Sequence, residues 1–125
     1  MELQYKQLEH GIRLIKLIGK LDISENRDVE SKFIIRCAGS QAQVIVDLSE
    51  ITAFTSSGVK LLLWTAKEVV SRGGSFVLAS PNASVEQVLG QKEFKEWTST
   101  YSDINAATSF LLTNSERRIP FLSSK

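Results

Sequence analysis

Three hydroxyls in a row, Thr55, Ser56 and Ser57, stand directly before Gly58. They sit between an apolar run that ends near Leu48 and a helix-forming stretch that ends near Arg72. A hydroxyl where a strand's carboxyl end meets a helix amino terminus can do three kinds of chemistry. It can cap the helix, because the first-turn N–H groups have no intrahelical acceptor. It can accept a phosphoryl group, which the same N–H groups and roughly half a positive charge of helix dipole would hold. With a base beside it, it can act as a nucleophile. The pattern alone leaves capping and phosphorylation both open.

Catalysis finds little support. A nucleophile elbow needs Gly-x-Ser-x-Gly, whereas Phe54 and Thr55 precede these serines. Ser57-Gly58-Val59-Lys60 fits Ser-x-x-Lys, but the companion Ser-Asp-Asn and Lys-Thr-Gly motifs are missing. The only histidine, His10, falls in a predicted hairpin loop, and no glycine-rich phosphate loop occurs. Asp22 and Asp47 are isolated carboxylates suited to hydrogen bonding at strand ends. Cys37 is the only cysteine, so neither an internal disulfide nor a cysteine-cluster zinc site can form. The expectation is a protein that is not an enzyme and carries no metal or cofactor.

Composition narrows the partners. The chain has 125 residues, 42% of them hydrophobic and 23% charged, which is one globular domain's worth. A net charge of +1, with Lys and Arg dispersed, leaves no footprint for nucleic acid or a membrane surface. No apolar run approaches the roughly 20 residues of a membrane-spanning helix. Met1 to Lys6 lack the features of a signal peptide. The expected partner is a protein, met in the cytoplasm.

The elements that must position the hydroxyls can be read from periodicity. Leu3–Leu8 and Ile12–Gly19 read as a hairpin joined at His10-Gly11. A helix is predicted over Glu25–Ala38, with Val29, Phe33 and Cys37 at fourfold spacing and Gly39 as its stop. Gln43–Leu48 reads as a strand covered on both faces. The hydroxyl cluster then opens a helix that Gly73-Gly74 closes. Ser75–Ala79 is a further strand, Pro81-Asn82 starts a short helix, and Glu96–Tyr101 reads as a last strand. Ser102-Asp103 opens a closing helix to about Thr113, and Ser115–Lys125 reads as a loose tail. Alternating strands and helices imply an α/β sheet with helices packed on it.

The run from Val44 through Asp47-Leu48-Ser49 to Thr55-Ser56-Ser57-Gly58-Val59 resembles the central signature of the STAS domain, in the form found in bacterial anti-sigma factor antagonists. Gly19-Lys20-Leu21-Asp22, Gly73-Gly74 and the Pro81, Val85, Leu89 spacing fit the same pattern, and the resemblance spans about residues 3–113. It implies a four- or five-stranded mixed β-sheet flanked by about four α-helices, with residues 1–113 as the domain and 114–125 as a polar C-terminal tail. It also implies a partner-switching cycle. The unmodified domain would bind an anti-sigma factor that is also a serine protein kinase. Phosphorylation of Ser56 would end that binding, and a PP2C-type phosphatase would restore it. Ser57 and Thr55 are the lesser acceptor candidates. Thr55 stands where the family usually has Asp. STAS domains also occur as non-switching scaffolds or accessory subunits of stress-sensing or transport assemblies, which is the alternative.

At 100° per residue, Val59, Leu62, Leu63, Ala66, Val69 and Val70 gather on one side of the helix after the hydroxyl cluster, which predicts the buried face. Ser57, Leu61, Trp64 and Glu68 fall opposite. Two large apolar residues on an outer face call for a cover, either the tail at Ile119–Leu122 or a partner. Leu61 and Trp64 thus join Asp22, Thr55, Ser57 and Gly58 of the motifs that carry the resemblance as the candidate partner-binding residues.

Overall fold

The structure is a computed structural model that describes the backbone of residues 1–22, 24 and 27–123, and the side chains of those up to Thr113. Five strands form one sheet in the order β1-β2-β3-β4-β5. They are β1 (Glu2–Gln7), β2 (Arg13–Leu21), β3 (Gln43–Phe54), β4 (Ser75–Ala79) and β5 (Ser99–Tyr101). The first pair is antiparallel, as a hairpin requires, and every later pair is parallel. His10 and Gly11 make the turn between β1 and β2 with φ of 61° and 74°.

The helices are α1 (Arg27–Arg36), α2 (Ser56–Ser71), α3 (Ala83–Leu89), α4 (Lys92–Trp97) and α5 (Ile104–Ser123). Each strand from β2 onward is laid down beside the previous one in the same direction. Right-handed crossovers then put α1 to α4 on one face of the sheet. Their contacts join Phe33, Leu62, Ala66, Val85, Leu89 and Phe94 to the sheet residues Ile15, Val44, Val46, Leu48 and Leu78 in the larger core. The opposite face falls to α5, whose Ala107 and Leu111 pack on Ile45, Val77 and Ala79. With both faces covered, Val44, Ile45, Val46 and Leu48 are all fully buried, as an unbroken apolar run predicts.

Several boundaries differ from the sequence reading. Strand β3 runs six residues past Leu48 to Phe54, pairing there with β2 alone through two register shifts. Lys92–Trp97, whose last two residues fall in the expected last strand, is helix α4, with Phe94 its one buried residue, and β5 keeps only Ser99–Tyr101. The backbone of α5 continues to Ser123, beyond the expected end at Thr113, so that part of the segment read as a loose tail is helical. The expected start of the first helix, Glu25, lies outside the described residues, as do the side chains of Ile119–Leu122. Among the described residues, no helix is long and apolar enough to cross a membrane.

Helix α2 turns differently from its predicted wheel. Its buried residues are Gly58, Leu61, Leu62, Thr65, Ala66 and Val69, at the i, i+3, i+4, i+7, i+8, i+11 spacing of one stripe. Leu61, placed on the outer face by the wheel, is 7% exposed, while Val70, placed inside, is 37% exposed. The reason is Thr65. Its hydroxyl donates to the Leu61 carbonyl at 2.7 Å, so a side chain counted as polar buries without an unpaired group. The stripe shifts by one residue toward it.

Candidate functional site

The hydroxyl cluster lies where β3 ends and α2 begins, beside the carboxyl end of β2. Parallel α/β sheets collect functional groups at this end of their strands. Gly58 permits the close approach. A Cβ at this position would come within 2.3 Å of the Leu21 carbonyl oxygen and 2.6 Å of Leu21 Cγ. Only a glycine lets the first turn of α2 press on the last residue of β2.

Thr55 occupies the N-cap position with extended backbone, yet its side chain makes no capping hydrogen bond. The capping reading of this hydroxyl therefore fails. Its N–H donates instead to the Leu21 carbonyl at 3.1 Å, and its Oγ1 lies 3.3 Å from the same oxygen. Thr55 and Ser57 share a hydrogen bond of 2.9 Å, and Ser57 Oγ lies 3.5 Å from Asp22 Oδ1. Two hydroxyl protons thus serve three contacts, and both side chains are turned inward. Ser56 is different. It is exposed, and its hydroxyl has no hydrogen-bond partner among the described residues.

Asp22 is 6% exposed. Its Oδ1 accepts from Ser24 Oγ at 2.7 Å and from Ser24 N at 3.1 Å, and Lys20 Nζ lies 3.9 Å from Oδ2. The Ser24 hydroxyl first, then the Ser24 N–H, Lys20 and Ser57, hold its carboxyl below the ordinary value against the opposing effect of burial. Asp22 is therefore an anion fixed beside Ser57. Asp47 caps a strand irregularity instead, accepting from Ser49 N at 2.9 Å. Both carboxylates do the hydrogen-bonding work their isolation suggests.

A groove of about 460 Å³ runs from the cluster between α1 and α2, lined by Glu30, Ile34, Ser57, Lys60, Leu61 and Trp64. Leu61 is its floor and Trp64, 51% exposed, its wall. The structure thus brings Asp22, Thr55, Ser56, Ser57 and Gly58 together, with Leu61 and Trp64 leading away from them. Sequence reasoning missed Ser24, Glu30 and Ile34, and weighed Lys60 only as the end of a Ser-x-x-Lys motif. The Asp22-x-Ser24 spacing is that of a local side-chain-to-backbone turn, and Glu30 and Ile34 lie four apart on one face of α1, so both signals were available.

The STAS domain model matches residues 5–107. An anti-sigma factor antagonist from Mycobacterium paratuberculosis superposes with a TM-score of 0.76 at 16% identity, covering 88% of this chain and 92% of that one. The Bacillus cell fate determinant SpoIIAA in its phosphorylated form gives 0.62 at 21% identity, covering 87% and 99%. The murine anion transporter Slc26a9 gives 0.69 at 16% identity over 82% of this chain but 18% of the transporter. At these identities the likenesses establish the fold.

Proposed function

The chain belongs to the STAS domain family, and from that premise we propose that it is a phosphorylation-controlled protein-binding switch of the anti-sigma factor antagonist type. It is not an enzyme. In the cytoplasm, the unmodified domain binds an anti-sigma factor that is also a serine protein kinase, through the hydroxyl cluster and the groove walled by Trp64. The kinase transfers the γ-phosphoryl group of ATP to Ser56 Oγ. An O–P bond forms, the hydroxyl proton leaves and ADP departs. A PP2C-type phosphatase returns the serine by hydrolysis.

The observation that carries this reading is the difference among the three hydroxyls. Thr55 and Ser57 are turned inward onto Leu21 and Asp22, while Ser56 points into solvent at the first residue of α2. A phosphate on Ser57 would also lie against the Asp22 carboxylate, where like charges repel. On Ser56 it meets the N–H groups of the helix terminus. The added charge, about −1.5 to −2 at neutral pH, leaves the fold intact and acts on the partner.

The transporter likeness keeps a second reading in play, a non-switching STAS scaffold or accessory subunit. One experiment separates the two. The protein is incubated with the anti-sigma factor/kinase of its own organism and ATP, then mapped by peptide mass spectrometry. A single phosphate on Ser56 supports the switch. Stable assembly with that protein and no phosphate supports the scaffold.

A further inference from the structure

We propose that Lys60 is the internal counter-ion of the modified site, capturing the phosphate on Ser56. The inference rests on Ser56 being the phosphoacceptor. Four residues separate the two positions on α2, so their side chains are neighbours one turn apart on one helix face, with Cβ atoms about 5–6 Å apart. The anion lies on the N-terminal side of the cation, the favourable order for such a pair. Lys60 is exposed and has no ion pair among the described residues. Lys20, at the carboxyl end of β2 beside the cluster, lies against Asp22.

Lys60 also lines the groove, together with Ser57 and opposite Glu30. In the unmodified domain its ammonium is a free positive group on the groove's lip, next to Leu61 and Trp64. A phosphate one turn away draws that ammonium toward the helix terminus. Modification therefore does two things at once. It places a dianion at the rim, and it withdraws the cation that a partner carboxylate would meet. The released state is held by a contact inside the domain.

Phosphoserine is inserted at position 56 during translation, so that no kinase is needed, and the second ionisation of the phosphate is followed by phosphorus NMR. Parent, Lys60→Gln, Lys60→Arg and Lys20→Gln proteins are compared, with circular dichroism showing that each is folded. Lys60→Gln raises the phosphate pKa by about 0.3 unit, Lys60→Arg retains the parent value, and Lys20→Gln moves it less. An unchanged value in Lys60→Gln, or an equal or larger rise in Lys20→Gln, overturns the proposal. If the kinase leaves Ser56 unmodified while this shift is seen, the switch reading fails and the ion pair stands.

Discussion

Gly58 lies so close to Leu21 that a methyl group on its Cα would come within 2.3 Å of the Leu21 carbonyl oxygen. The same oxygen accepts the Thr55 N–H, so one carbonyl fixes both the entry to α2 and the position of the hydroxyls. Alanine is ordinarily the better residue inside a helix, by about 1 kcal/mol. Here the clash with a backbone atom reverses the sign. Gly58→Ala is expected to destabilise the domain by about 1–3 kcal/mol. Urea unfolding of the two proteins gives the answer, and a stabilised variant would show that α2 shifts freely against β2.

Leu61 and Trp64 separate packing from binding. Leu61 is buried against the larger core, so Leu61→Ala is expected to cost about 2–5 kcal/mol of folding stability. Trp64 is 51% exposed, and Trp64→Ala should change stability by no more than about 0.5 kcal/mol. Its effect belongs to the partner complex, where loss of a tryptophan anchor costs about 2 kcal/mol, a roughly thirtyfold weaker affinity. A strongly destabilised Trp64→Ala protein whose folded fraction binds normally would place Trp64 in the core.

The Asp22 carboxyl predicts an acid dependence. The Ser24 hydroxyl holds its pKa below the ordinary carboxyl value in the folded state. A carboxyl lowered on folding contributes stability that is complete above its unfolded value and is lost as pH falls through the folded one. Asp22→Asn should therefore be less stable than the parent at pH 6, with the gap narrowing below pH 4. Melting temperatures across that range test it. A gap independent of pH would assign the loss to packing rather than to charge.

Cys37 should be chemically silent. Its side chain is buried in the turn just after α1, and burial pushes the thiol up to about 12. Native protein at pH 8 is expected to react with a thiol reagent only as fast as it unfolds, so labelling should accelerate with urea. Rapid stoichiometric labelling without denaturant would contradict the burial of this turn.

Much of this architecture is legible in the sequence, because long apolar periods report burial directly. Strand β4 and the cap at Asn82, whose side chain accepts from Val85 N at 3.0 Å, fall where turn residues and periodicity put them. The failures have local causes. Beyond Leu48, β3 has only β2 as a neighbour, and Ile51 alone of its last six residues is buried, so the signature of a covered strand is lost. Helix α4 buries one residue, Phe94, too few to show a period. Thr65 is polar by type and apolar in effect, because Leu61 satisfies it. At the site, the order of hydroxyls was readable, but which of them turns inward depends on Leu21 and Asp22, more than thirty residues away.

The central claim is that the state of Ser56 alone sets affinity for the anti-sigma factor/kinase. Calorimetric titration of that protein, without ATP, into the unmodified domain, the Ser56-phosphorylated domain and Ser56→Asp measures this directly. Repulsion at the rim together with lost desolvated contacts is expected to weaken binding a hundredfold or more on phosphorylation. Ser56→Asp, with less charge, should fall between the two, and its thermal stability should hold or rise by about 0.3–1 kcal/mol from the acid at the helix terminus. Equal affinity of the unmodified and phosphorylated domains would contradict the switch.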